Sequence, residues 1–386
     1  MIFLKPTVRL FDEDAYMKEF TATVQKWKLE DGFFFAALDR TAFFPEGGGQ
    51  YCDLGTLYTA DVLDVQEDAD GVIWHKLSSP VETGTVVTGR IDWERRFDFM
   101  QQHSGEHIFS GLAHSHFGAT NVGFHLGLDI MTIDLDVPLD EEKVNLLEKE
   151  ANEAVTKNIP IEITYPSAEE LAVLPYRSKK ELTGKIRIVT IPDYDICACC
   201  GTHVAKTGEI GLIKITSFQN YKGGTRLFML CGKRALNDYR RKNRDIISVT
   251  NSLSVKPEEL CPAVERLQSD ITARKIYEAK LRRELFDLKA KCLGTGEKIA
   301  AFEENLSPDE IARYCLALAE NFKVAAVFCN SDSGYKYALA SKKEDCRLLT
   351  KAMNDKFKGR GGGKPELTQG SLTGNREEIE DFFYKQ

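Results

Sequence analysis

Two short motifs, far apart in the chain, constrain what it can fold into. His103 and His107 lie four apart in Met100-Gln101-Gln102-His103-Ser104-Gly105-Glu106-His107-Ile108-Phe109, and Cys199 and His203 repeat that spacing in Cys199-Cys200-Gly201-Thr202-His203. The first stretch has helical patterning, so both imidazoles project from one face about a turn apart. The second is a loop or helix start just before a strand that begins near Glu209. Together they offer three nitrogens and one sulfur, a plausible tetrahedral zinc set of borderline-soft donors. Only seven histidines exist, and three of them sit in these two spacings. Cys199 is the preferred sulfur, although Cys197 and Cys200 also form a Cys-x2-Cys suited to a structural site or a redox pair. Asp195 is a candidate carboxylate to orient one of the ligands.

Composition narrows the class. The chain has 386 residues, 42% hydrophobic and 28% charged, which suits two or three cores and excludes disordered, collagenous and small disulfide-framework proteins. Its 51 basic and 59 acidic residues leave a net charge of −8, so nucleic acid has to be met by local patches and not by a global field. Ten cysteines, three of them crowded between Cys197 and Cys200, read as reduced thiols with one ligand cluster. No apolar run approaches the roughly 18 residues that cross a bilayer, and the start Met1-Ile2-Phe3-Leu4-Lys5-Pro6 has no signal-peptide pattern. A cytoplasmic protein with no membrane partner is expected.

The pattern along the chain predicts an α+β protein in four parts. Residues 1–91 read as a small β-barrel-like domain of short strands, with a hairpin on Asp70-Gly71. Residues 92–247 mix helices (Arg95 to Leu112, Glu141 to Val155) with strands. Residues 248–296 form a helical arm: Leu260, Val264, Leu267 and Ile271, then Leu281, Leu285, Leu288 and Cys292, keep one heptad-like rhythm, interrupted by Arg274 and Glu278 at the seam. An antiparallel helical hairpin or dimer stalk is expected there. Residues 297–386 alternate helix and strand, with a glycine loop from Gly359 to Pro365.

The two motifs, with Phe43-Phe44-Pro45-Glu46-Gly47-Gly48-Gly49-Gln50 upstream and Thr207-Gly208-Glu209-Ile210-Gly211 downstream, resemble the editing domain of alanyl-tRNA synthetases and the free-standing AlaX-type proteins. The resemblance spans nearly the whole chain. The arm and the tail with Gly359-Arg360-Gly361-Gly362-Gly363-Lys364-Pro365 resemble the long subclass, whose C-terminal α/β domain is of the DHHA1 type. What this implies is a hydrolase acting in trans on mischarged alanine tRNA at one zinc ion held by His103, His107, Cys199 and His203. Serine is the expected misacyl group, with glycine beside it, and a homodimer through the arm or the C-terminal domain is a further expectation. No adenylate-forming pattern precedes the first strands, so aminoacylation is not expected.

Gln50, Gln102 and Thr202 offer amide and hydroxyl groups suited to the hydroxyl of serine, which a hydrogen-bonding site favours strongly over the methyl of alanine. Two residues depart from the family: Cys200 stands where glycine is usual, and Glu106 stands between the histidines where a neutral residue is common. The second departure writes a literal H-x-x-E-H, the inverzincin signature in which glutamate is a general base, so Glu106 is a candidate catalytic group and a metalloprotease is the leading rival. A non-catalytic tRNA-binding module with a structural zinc is the third reading. Phosphate contacts are expected from two basic stretches, Arg177, Lys179, Lys180, Lys185 and Arg187, and Lys233, Arg234, Arg240, Arg241, Lys242 and Arg244. Arg226 and the run Arg360, Gly361, Gly362, Gly363, Lys364 are assigned to tRNA as well, the alternative being solvated faces and a tight packing turn.

Overall fold

The computed structural model describes residues 4–178 and 186–386. Contacts divide the chain into two units, Met1–Ser248 and Val249–Gln386. Within the first, the strands Glu19–Glu30, Phe33–Leu38, Ile73–Leu77, Ala60–Glu67, Gly55–Leu57 and Val86–Ile91 pair in that order into a closed barrel. Alternation produces it: Phe20, Ala22 and Val24 point inward along the first strand while their neighbours face out, and Leu38, Val62, Val65, Ile73 and Val87 fill the same core. The expected hairpin on Asp70-Gly71 joins Ala60–Glu67 to Ile73–Leu77.

The chain then enters the helix Trp93–Phe117. The Asp92 side chain accepts from the Arg95 N–H to open it, and Gly118, in the left-handed region, closes it. From Phe99 to Ala113 every residue of this helix is buried. It packs with the helix Glu141–Lys157 and an antiparallel sheet ordered Ile213–Tyr221, Gly224–Cys231, Met131–Leu135, Asn121–Leu126 around one core that includes Ile108, Phe109, Ile133, Leu147 and Met229. A smaller antiparallel sheet, Glu162–Thr164, Ile188–Ile191 and Asp195–Ala198, leads into the cysteine motif.

In the second unit the sheet order is Gly296–Glu303, Phe322–Ser331, Gly334–Ala340, Leu367–Leu372, Arg360–Lys364. Both faces are covered: Val324, Ala326 and Phe328 meet Met353, Phe357, Ile379 and Phe383, while Ala325, Val327 and Cys329 meet Ile311, Tyr314, Cys315 and Leu318. Two expectations change here. The glycine segment is a strand, with Arg360–Lys364 paired to Leu367–Leu372, because Gly361 and Gly370 face each other where a Cβ would strike the opposite backbone. The arm is one continuous helix, Leu260–Cys292, not a hairpin; Phe286 and Ala290 bury against Tyr314 and its neighbours, whereas Leu267, Ile271, Leu281, Leu285 and Leu288 of the predicted seam are exposed.

Barrel and metal-motif helix are joined by Arg96, wholly buried, which pairs with the buried Asp53 and donates to the carbonyls of Ala15 and Ala42. Asp53→Ala leaves a buried cation without its carboxylate, so a loss of about 3–5 kcal/mol is expected. Urea unfolding of wild type and variant, followed by circular dichroism, measures it; a change below about 1 kcal/mol contradicts this role for the pair.

Candidate metal centre

One helix carries His103 and His107; the loop after Asp195–Ala198 carries Cys199 and His203. Tertiary folding brings their side chains together, so that one nitrogen from each histidine and the sulfur of Cys199 all lie within 4.8 Å of one another. Ring centroids are 4.6 Å apart for His103 and His203 and 4.7 Å for His107 and His203. The Cys199 Sγ lies 3.4 Å from His103 Nε2, close to the roughly 3.3–3.8 Å separation of neighbouring ligands around tetrahedral zinc. Such a cluster can hold a metal ion.

The far nitrogen of each ring has its own polar partner. His103 Nδ1 meets Gln50 Oε1 at 3.0 Å, His107 Nδ1 meets Asp195 Oδ2 at 2.8 Å, and His203 Nδ1 meets Ser104 Oγ at 3.2 Å. A carboxylate accepts only, so His107 carries its proton on Nδ1 and turns its Nε2 lone pair inward; Gln50 imposes the same sense on His103. His203 Nε2 is buried and has no hydrogen-bond partner among the described residues, an orphan that an inward-facing metal ligand explains. The donors and this orphan fit zinc.

Burial alone would raise the Cys199 thiol, but the charge of His103 and its contact with the sulfur outweigh it and, with the other two imidazoles close by, hold the group well below its ordinary value. Burial works against a charged His107, yet the Asp195 carboxylate and the Cys199 sulfur push its pKa well up. Burial dominates at His203, lowering it to about 3, so that ring is a neutral donor.

Gln50 reaches the cluster from the barrel. Gly47 and Gln50 exchange backbone hydrogen bonds of 3.0 Å across Gly48 and Gly49, both with positive φ, a two-residue turn that only such residues form easily. That turn aims the Gln50 amide, whose Nε2 donates to Thr202 Oγ1 at 3.0 Å. Phe124 leans on the other side of His103, with centroids 5.2 Å apart.

Other expected site residues lie elsewhere. Both ends of the Gln102 amide are taken by the backbone of Cys231, at 2.9 and 2.7 Å, so it clamps helix to strand. The buried Glu106 carboxylate accepts from Ser110 and Asn121 and is not among the clustered donors. Cys200 is exposed, and Cys197 is buried beside His107 and Asp195. Of the first basic stretch, Lys179, Lys180 and Lys185 lie outside the described residues. Arg177 and Arg187 turn inward: Arg177 pairs with Asp195, and Arg187 donates to the carbonyls of Cys199 and Gly201. Arg226, Lys233, Arg234, Arg241 and Lys242 pair with Asp134, Glu94, Asp98, Asp238 and Asp238. Ser104 was legible as a hydroxyl inside the histidine motif; Arg177, Arg187 and Phe124 carried no such signal, since only the fold brings them near.

Comparison with known proteins gives a consistent result. Residues 186–228 match the model of the threonyl and alanyl tRNA synthetase second additional domain. The chain is 30% identical over 395 residues to alanyl-tRNA editing protein AlaX-L of Pyrococcus horikoshii, covering 97% of this chain and 96% of that protein. It is 34% identical to alanyl-tRNA editing protein Aarsd1-B of Xenopus laevis over 68% of this chain and 67% of that one. It is also 33% identical to an alanine–tRNA ligase of Ignicoccus hospitalis, covering 83% of this chain but only 37% of the ligase.

Gly201 packs so closely on the cluster that an added Cβ would lie 2.2 Å from His103 Cε1, with Gln50 Oε1 at 3.2 Å beside it. Gly201→Ala therefore displaces His103, and zinc content per folded chain is expected to fall at least tenfold after dialysis against a weak chelator. Wild-type zinc content in a variant that keeps its circular dichroism contradicts this packing.

Proposed function

Because the chain belongs to the family of alanyl-tRNA editing proteins, we propose that it is a trans-editing deacylase that releases serine, and less readily glycine, from mischarged alanine tRNA at one zinc ion. The observation that carries the reading is the cluster of the half-buried Cys199 with the buried His103, His107 and His203, His203 Nε2 being left for a metal. Bound there, zinc supplies Lewis acidity toward an ester carbonyl or a water. An aminoacyl ester is already an activated bond, so the protein's own part is positioning and discrimination. Thr202 receives a hydrogen bond from Gln50 on its oxygen, and its own hydroxyl proton stays available to donate. That hydroxyl is our candidate for reading the serine side chain; Gln50 acts by orienting Thr202 and His103.

Arg240, Arg360 and Lys364 have no carboxylate partner among the described residues and are the cations we assign to tRNA phosphates, with Gly361, Gly362 and Gly363 between the last two in the chain. The C-terminal unit is read as the DHHA1-type domain, and the protein as cytoplasmic. The exposed Leu281, Leu285 and Leu288 are read as one half of a homodimer seam.

The test is release of amino acid from alanine tRNA loaded with serine or with alanine. Wild type is expected to release serine selectively, less efficiently as salt is raised, and the His103→Ala/His203→Ala double variant to lose at least a hundredfold in rate. Glu106→Gln distinguishes the metalloprotease: ester hydrolysis persists under our reading. No release by folded, zinc-loaded wild type removes the deacylase. For the seam, Leu281→Asp/Leu285→Asp should halve the mass seen by light scattering; an unchanged mass rejects the dimer.

A further inference from the structure

Asp195 is almost wholly buried and serves two partners at once. Its Oδ1 accepts from Arg177 Nε at 2.7 Å, while Oδ2 accepts from Arg177 Nη2 and from His107 Nδ1, both at 2.8 Å. The Arg177 backbone is tied to the same strand: its N–H donates to Ile196 and its carbonyl accepts from Ala198, at 2.8 and 2.9 Å. His107, Asp195 and Cys197 also form a compact group of potential metal donors. A second ion there is disfavoured, because both Asp195 oxygens already face a guanidinium whose charge occupies the place of a cation.

We propose that Arg177 is a positioning residue for the metal centre, acting through Asp195 to fix the His107 ring with its Nε2 lone pair turned to the cluster. A carboxylate can rotate about its terminal bond, and a single hydrogen bond to His107 would leave it free to do so. The planar fork of Arg177 holds both oxygens in one plane, which sets Oδ2 on the line to Nδ1 and removes the rotation. Lysine at 177 keeps the charge and loses the fork. The position borders a cavity of about 190 Å3 that also reaches Asn121 and Ser178, so a lysine there stays hydrated and folding tolerates it.

This rests on the zinc part of the proposed function and not on the reaction, and its test uses no tRNA. Zinc affinity is measured by chelator competition on the full chain, and the ligand field by the visible absorption of the cobalt-loaded protein. Asp195→Asn must set an amide N–H2 against a donor on Arg177 or His107; affinity is expected to fall 10–100-fold, with altered cobalt bands. Arg177→Lys should move both readouts the same way, by roughly threefold to tenfold. Arg226→Ala breaks another two-pronged arginine–aspartate pair, with Asp134, neither of them among the clustered donors or their polar partners, and should leave affinity within about twofold with wild-type bands. Folded Arg177→Lys and Asp195→Asn proteins that bind zinc like wild type, with unchanged cobalt spectra, overturn the proposal. If Asp195→Asn does not fold, the Arg177→Lys result alone decides. Zinc binding without deacylation by wild type would reject the reaction and leave this role intact.

Discussion

A wholly buried guanidinium holds the first unit together. Arg96 sits on the helix that carries both metal-motif histidines, and its donors reach Asp53 and the carbonyls of Ala15 and Ala42, three separate segments before the helix. The Asp53 carboxylate and the Ala42 carbonyl are buried with the guanidinium, so the geometry is enforced by the penalty of leaving either of them unmade. With that joint in place the barrel cannot drift relative to the helix. Gln50, delivered by a two-residue glycine turn, then arrives within 3.0 Å of His103.

The cluster of His103, His107, Cys199 and His203 is built by the same means. Each histidine is held from behind by a different segment: Gln50 from the barrel, Ser104 from the helix itself, and Asp195 from the strand before the cysteine motif. These partners choose the tautomers, lower the freedom of the rings and leave three inward nitrogens around one sulfur. The price is rigidity: the helix is buried on every side through this region, and Gly201 cannot accept even a methyl group.

Charge is handled differently at the surface. Most of the cations that crowd the segment from Arg226 to Lys242 are matched by nearby carboxylates, consistent with a chain of net charge −8. Arg240 and Arg360, which have no carboxylate partner among the described residues, are therefore the cations we propose for phosphate contact.

Much of the site was legible in the sequence, because local spacing on regular elements is physical information. Two histidines four apart with helical patterning had to share a face, and the alternation between Phe20 and Ile91 had to make a small β-domain. The heptad rhythm of the arm correctly marked a long helix, yet it did not say that Phe286 and Ala290, off the seam, would be the residues that bury. The glycine run after Gly359 looked like a loop because its residues are weak strand formers, and pairing with Leu367–Leu372 overrode that preference. Sequence alone determined the three candidate histidines, the cysteine cluster that offers the sulfur, and the helix that presents two of the imidazoles. Only the tertiary structure decided that Cys199 and not its neighbours faces those histidines, that Gln102 is bound to backbone, and that Arg177 turns inward to Asp195. Those outcomes depend on which distant segments meet and on satisfying every buried polar group where they do, and neither is written in local periodicity.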